Sequence, residues 1–139
     1  MVTTSDYHLE PIGFIQSSVK NREDAVRQGY EGAPDVWLHI NGRAAAGLEG
    51  ISPGDEIILI TWFHMSRRDV LAVHPRGDKN NPLTGVFATR SPDRPNPLGL
   101  HRVKVLEKKG TSLKVGPLEA IDGTPVVDIK PVLDRSEDG

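Results

Sequence analysis

Two arginines four residues apart, Arg90 and Arg94, stand in a stretch that restricts its own backbone: Gly85-Val86-Phe87-Ala88-Thr89-Arg90-Ser91-Pro92-Asp93-Arg94-Pro95-Asn96-Pro97-Leu98-Gly99-Leu100. Pro92, Pro95 and Pro97 fix φ, and each restricts the residue before it. A guanidinium is a planar fork of donors that matches carboxylate and phosphate oxygens. Two forks on a rigid loop are suited to an oxyanion. The other reading is a surface turn with solvated arginines, but such a turn needs only about two to five residues. Asn96 has an amide able to bond the backbone of its own loop, so with Pro95 and Pro97 it reads as scaffold.

Other chemistry is sparser. His64 ends an apolar run directly after Phe63, where a side chain can leave the core for a site or simply cap the sheet. Asp128 and Lys130 are two apart, so on an extended segment they share a face. They form either an ion pair or part of a ligand site. Asp122-Gly123-Thr124-Pro125 is a turn by composition. The five histidines show no close metal spacing and cysteine is absent, so no metal, disulfide or thiol nucleophile is expected. No dinucleotide-binding glycine fingerprint, phosphate-binding Gly-Lys-Ser/Thr loop or nucleophile elbow occurs.

The elements that must hold these groups are short. Eleven prolines and fourteen glycines break up the chain, which excludes long helices. Strands are expected over His8 to Val19, Val36 to Ile40, Glu56 to His64, Val70 to His74, Gly85 to Thr89, Leu100 to Leu106, Leu113 to Val115 and Pro125 to Ile129. Arg43 to Leu48 is the helix candidate, and Asn21 to Gly32 and Pro75 to Leu83 read as loops. Seven or eight short strands with turn signals between them predict an all-β barrel or sandwich with little helix. The length suits one domain over 1–139, with a core from about 9 to 132 and a polar C-terminal tail.

The net charge of −2 argues against binding a polyanion through bulk charge. Its distribution is uneven: from His64 to Lys109 there are ten basic and four acidic side chains, +6, so the remainder carries −8. A basic face around the proline-arginine loop and a scatter of charges around a barrel both fit. No apolar run reaches the length of a membrane span and no export signal is visible, which makes a cytoplasmic location, with no membrane partner, the expectation.

The proline-arginine stretch resembles the signature of the TrmO family, also called YaeB-like or TsaA-like. Arg27-Gln28, Phe63-His64, Asp122-Gly123-Thr124-Pro125 and Asp128-Ile129-Lys130-Pro131 resemble its other motifs in the same order, from about Ile12 to Pro131. The resemblance implies a single-sheeted β-barrel, commonly a homodimer, that binds S-adenosyl-L-methionine. It also implies methylation of N6 of the threonylcarbamoyl-modified adenosine beside the anticodon of tRNA. Carried over by motif, the cofactor contacts are Arg27, Gln28, Phe63, His64, Arg90, Leu100, Asp122, Gly123, Thr124 and Pro125. Asp128 or His64 would take the proton leaving N6, with Lys130 in the same catalytic group. Arg94 and Lys130 would meet a tRNA phosphate or the threonyl carboxylate. The chain has Val26 where a proline often precedes Arg-Gln, and His101-Arg102 where many members have a small residue. Two further readings stay open: a methyltransferase of this fold with another nucleotide or small-molecule substrate, and a non-catalytic nucleic-acid-binding barrel. Aromatic content of 5% weakens the last, because such barrels stack bases on aromatic rings.

Overall fold

The computed structural model describes residues 7–21 and 33–133. Its strands are β1 (Gly13–Gln16), β2 (Val36–Ile40), β3 (Glu56–Trp62), β4 (Ala72–Val73), β5 (Thr84–Gly85), β6 (Leu98–Lys109), β7 (Ser112–Gly116) and β8 (Pro125–Pro131). Six of them close an antiparallel barrel in the order β1-β2-β7-β6-β3-β8, while β4 and β5 form a separate two-stranded ribbon. The expected all-β single-sheeted barrel is therefore what the chain forms. Closure follows from period-two alternation. Val36, Leu38 and Ile40, then Ile57 and Leu59, then Val103 and Val105 point inward and meet Ile15, Leu113, Val115 and Val126. Each such burial stabilises by about 1.5–3 kcal/mol. Leu48 fills the end of the barrel under a 3-10 helix, Gly42–Leu48.

Two bulges shape the wall. The β6–β7 register skips Leu106, and the β3–β8 register skips Val127. An extra residue bends the strand and reverses the faces beyond it. Val126 is inward opposite Thr61, yet Asp128 is outward opposite Ile60 and Lys130 outward opposite Ile58. The bulge at Val127 thus puts Asp128 and Lys130 on the outer wall. Glycine is required where β1 crosses close to β2: a Cβ on Gly13 would run into the His39 carbonyl.

Two expectations are corrected. The strand read over Gly85 to Thr89 ends at Gly85, and Val86–Ala88 is a 3-10 turn. The Val86 carbonyl accepts from the Thr89 amide, the Thr89 hydroxyl and the Arg94 guanidinium, so it is used locally instead of in a ladder. Arg43 to Leu48, the helix candidate, is helical: it lies in the 3-10 helix Gly42–Leu48, a form that suits seven residues including Gly42 and Gly47. The strand read over His8 to Val19 shrinks to the four residues of β1. No described helix is long and apolar enough to cross a membrane.

Candidate functional site

One end of the barrel gathers the motif segments. Antiparallel pairing brings the C-terminal ends of β1, β3 and β7 and the N-terminal ends of β2, β6 and β8 to the same rim. Phe63-His64 follows β3, the proline-arginine loop precedes β6, and the Asp122–Pro125 turn opens β8. β1 also ends here, on the way to Arg27 and Gln28, which lie outside the described residues.

The loop is held from within by Arg94. Its Nη1 donates to the carbonyls of Thr89 (3.0 Å) and Ser91 (3.1 Å), and its Nη2 donates to Val86 (2.9 Å). The Arg94 amide bonds the Arg67 carbonyl at 3.0 Å, and Asp93 accepts the Arg67 amide at 2.9 Å. On the other flank Arg68 lies 5.1 Å over the Trp62 ring and donates to the Pro95 carbonyl (2.7 Å) and Asn96 Oδ1 (3.0 Å). The Asn96 side chain therefore fixes the loop through Arg68, where the sequence suggested a bond to its own backbone. Arg90 is different: it is exposed and has no hydrogen bond or ion pair among the described residues.

Two clefts flank this loop and share no lining residue. The first, about 700 Å³, has Trp62, Arg68, Asn96, Leu98, Pro125 and Val127 in its wall, with Tyr7 to Leu9 and Pro11 opposite. The second, about 790 Å³, lies between the 74–79 turn and residues 88–93 and has Arg76, Lys79, Arg90 and His74 in its wall. Arg76 adopts φ 60°, the one positive φ of a non-glycine residue among those described. That conformation costs an L-residue about 1–2 kcal/mol.

The remaining site residues fall into two groups. Asp122 Oδ1 accepts the Ser17 amide (2.8 Å) and Oδ2 pairs with Lys20 (3.0 Å). The Ser17 hydrogen bond first, and Lys20 second, hold its carboxyl below the ordinary carboxylate range. Gly123 turns the chain at φ 83°, and buried Thr124 donates its hydroxyl to the Ile121 carbonyl at 2.5 Å. These side chains build the joint between β1 and β8 and deliver Pro125 to the first cleft. Leu100, Ile60 and Asp128 form one outward row across β6, β3 and β8, with Leu100 56% exposed. Asp128 pairs loosely with Lys130 at 3.8 Å, so the two do share a face. His64 is exposed at the rim.

These motif segments, gathered on one rim of a closed barrel, have counterparts in known proteins. A family model described as the tRNA-methyltransferase O N-terminal domain matches residues 14–138. The chain belongs to this TrmO family. Among its relatives is a probable S-adenosyl-L-methionine-binding protein of Methanocaldococcus jannaschii, 41% identical over 128 residues that cover 89% of this chain and 90% of the relative. A probable S-adenosyl-L-methionine-binding protein of Pyrococcus horikoshii is 49% identical over 128 residues, 89% of this chain and 81% of that one. A crystal structure of TrmO from P. aeruginosa superposes with a TM-score of 0.72 at 27% identity, over all of this chain and 59% of that one. The chain thus spans about three fifths of that solved TrmO chain.

Set within the TrmO family, three neighbours of the motifs were not singled out in the sequence as site residues. Trp62 precedes Phe63, and only strand alternation hints that it faces outward. Arg68 has no sequence signal at all. His101 stands out in sequence only as a departure from the TrmO pattern. It points into the barrel mouth, where Nε2 meets Thr61 Oγ1 at 2.8 Å and the ring meets Phe63 edge-on at 5.8 Å. Burial lowers its pKa. Gly99 completes this cluster: its missing Cβ is the space occupied by Phe63, Thr61 Oγ1 and His101 Nε2.

Proposed function

We propose that this chain is an S-adenosyl-L-methionine-dependent methyltransferase that acts in the cytoplasm on tRNA, at N6 of threonylcarbamoyl-modified adenosine. The observation that carries the reading is the convergence of Phe63-His64, the proline-arginine loop and the Asp122–Pro125 turn on one barrel rim beside an aromatic cleft. About 700 Å³ is within the usual range for a site taking a nucleoside-sized ligand, and Trp62 with Leu98, Pro125 and Val127 offers it apolar walls. These apolar walls suit the nucleoside part of the cofactor, which supplies a methyl group activated on a sulfonium. Arg90, with no partner of its own among the described residues, is the guanidinium for the carboxylate at the cofactor's amino-acid end.

The protein's part in such an in-line displacement is chiefly alignment, worth up to about 7–11 kcal/mol when acceptor and donor are held in line. Asp128 accepts the proton that leaves N6, with exposed His64 as the second candidate; Lys130 neutralises Asp128 between turnovers and meets anionic parts of the acceptor. Arg94, fully engaged with loop carbonyls, braces Arg90 instead of meeting substrate.

Arg90 and Trp62 line different clefts of one chain. A homodimer resolves this by bringing the Arg90 of one copy to the Trp62 cleft of the other. Exposed Phe14, Leu98 and Leu100 beside half-buried Ile58 and Ile60 supply an apolar outer wall suited to such packing. Calorimetric titration with S-adenosyl-L-methionine, paired with sedimentation analysis, tests this reading. Saturable binding by a dimer is expected; absence of binding removes the enzyme reading.

A further inference from the structure

We propose that the second cleft, between the 74–79 turn and residues 88–93, is a binding site for the phosphodiester backbone of the RNA substrate. The proposal deepens the tRNA reading above and rests on it.

Seven arginines are described. Arg43, Arg67, Arg68, Arg94 and Arg102 each bond a carboxylate, an amide or a backbone carbonyl. Arg76 and Arg90 have no side-chain partner among the described residues, and both line this one cleft. Lys79, in the same wall, is equally unpaired among the described residues. With Arg90 assigned to the cofactor carboxylate, Arg76 and Lys79 are the cations of this concave surface left available to a further external anion.

Among the described residues no acid forms an ion pair with Arg76, Lys79 or Arg90. Asp93, the carboxylate in the wall, takes the Arg67 amide. Asp78, in the turn, takes the Asn80 amide. His74 also lines the cleft. Its Nδ1 lies 2.9 Å from the Asn81 carbonyl, an acceptor only, so Nδ1 carries the proton and the ring is fixed.

Arg76 sits at φ 60° beside Gly77 at φ 67°, in a conformation that glycine adopts freely and arginine does not. Folding alone favours glycine at position 76. A long cation held there points to a function for the charge.

The lining of the cleft favours phosphate over base. No phenylalanine, tyrosine or tryptophan lines this cleft. The hydroxyls in its wall are engaged too: Thr89 donates to the Val86 carbonyl and Ser91 to the Asp93 carbonyl. Base recognition on single strands uses aromatic stacking and free polar edges. A cleft that offers charge without either reads backbone, which positions the RNA while the reacting base is handled elsewhere.

The test is the double variant Arg76→Gly, Lys79→Gln in the full chain. Glycine relieves the strain at 76, so folding is preserved and thermal unfolding checks it. Binding to threonylcarbamoyl-modified tRNA is measured by fluorescence anisotropy from 50 to 200 mM salt, with S-adenosyl-L-methionine affinity measured in parallel. Loss of two phosphate contacts lowers the slope of log K against log salt by about 1.4–1.8 in magnitude. We expect that change, tRNA binding weakened about tenfold or more near 100 mM salt, and cofactor affinity within twofold of the parent. An unchanged slope and tRNA affinity overturns the cleft assignment and leaves the tRNA reading standing. A parent that does not bind tRNA overturns both. A tenfold loss of cofactor affinity with an unchanged slope assigns the cleft to the cofactor and overturns the proposal.

Discussion

Removing the Arg94 guanidinium should unfasten the loop that carries Arg90 while leaving the barrel folded. Three hydrogen bonds of 2.9–3.1 Å join this half-buried side chain to the carbonyls of Val86, Thr89 and Ser91. A hydrogen bond to a charged group contributes about 1.5–3 kcal/mol net. The three share one guanidinium and are not additive, and carbonyls at a loop surface regain water. Arg94→Ala should therefore destabilise the loop by about 2–4 kcal/mol. At about 1.4 kcal/mol per decade, that is a 30- to 700-fold loss of amide protection. Hydrogen exchange should show it at the Thr89 and Arg94 amides, which bond Val86 and Arg67. Amides of β3 and β6 should exchange as in the parent, since local opening need not spread to the barrel. Arg94→Lys, which presents a point charge instead of a fork, should recover only part of the protection. Arg90→Ala should leave it unchanged, because Arg90 bonds nothing in the described chain. Unchanged protection at Thr89 and Arg94 in Arg94→Ala would refute the bracing role and with it the division of labour between the two arginines.

Gly99→Ala places a methyl against Phe63, 2.7 Å from Thr61 Oγ1 and 2.8 Å from His101 Nε2. Urea denaturation should show a loss of about 1–3 kcal/mol from overpacking, together with weaker cofactor binding as Phe63 shifts; an unchanged midpoint would contradict the packing. His101 contributes a pH dependence of defined sign. Its folded pKa is held below the ordinary 6.5 by burial, so the unfolded chain takes the proton more readily, and stability should fall as pH drops below about 6.5. His101→Gln should flatten that part of the curve, and identical melting profiles from pH 7.5 to 5 would remove the effect. Asp128→Asn should cut methyl transfer at least about 100-fold with cofactor affinity within twofold; an unchanged rate constant would place the proton acceptor elsewhere.

Alternating apolar residues made most of the barrel legible. Val36-x-Leu38-x-Ile40 and the run from Ile57 to Trp62 are strands in the structure because half their side chains must leave water together. The motif order was legible as well, and antiparallel closure explains why segments distant in sequence share a rim. Bulges were not legible. Nothing in Val126-Val127-Asp128 announces an extra residue, so a shared face for Asp128 and Lys130 could be foreseen but not which face. The direction of Arg94 was equally hidden, since its partners are backbone carbonyls that exist only once Val86–Ala88 has turned. The Arg68 stack on Trp62 joins residues six apart through a loop whose path no local pattern specifies.

Methyl transfer itself decides the central claim. The protein, incubated with S-adenosyl-L-methionine carrying a labelled methyl group and tRNA bearing threonylcarbamoyladenosine, should place the label on N6 of that nucleoside. It should leave tRNA that lacks the modification unlabelled. Saturable cofactor binding without label in the modified nucleoside would contradict the proposed reaction.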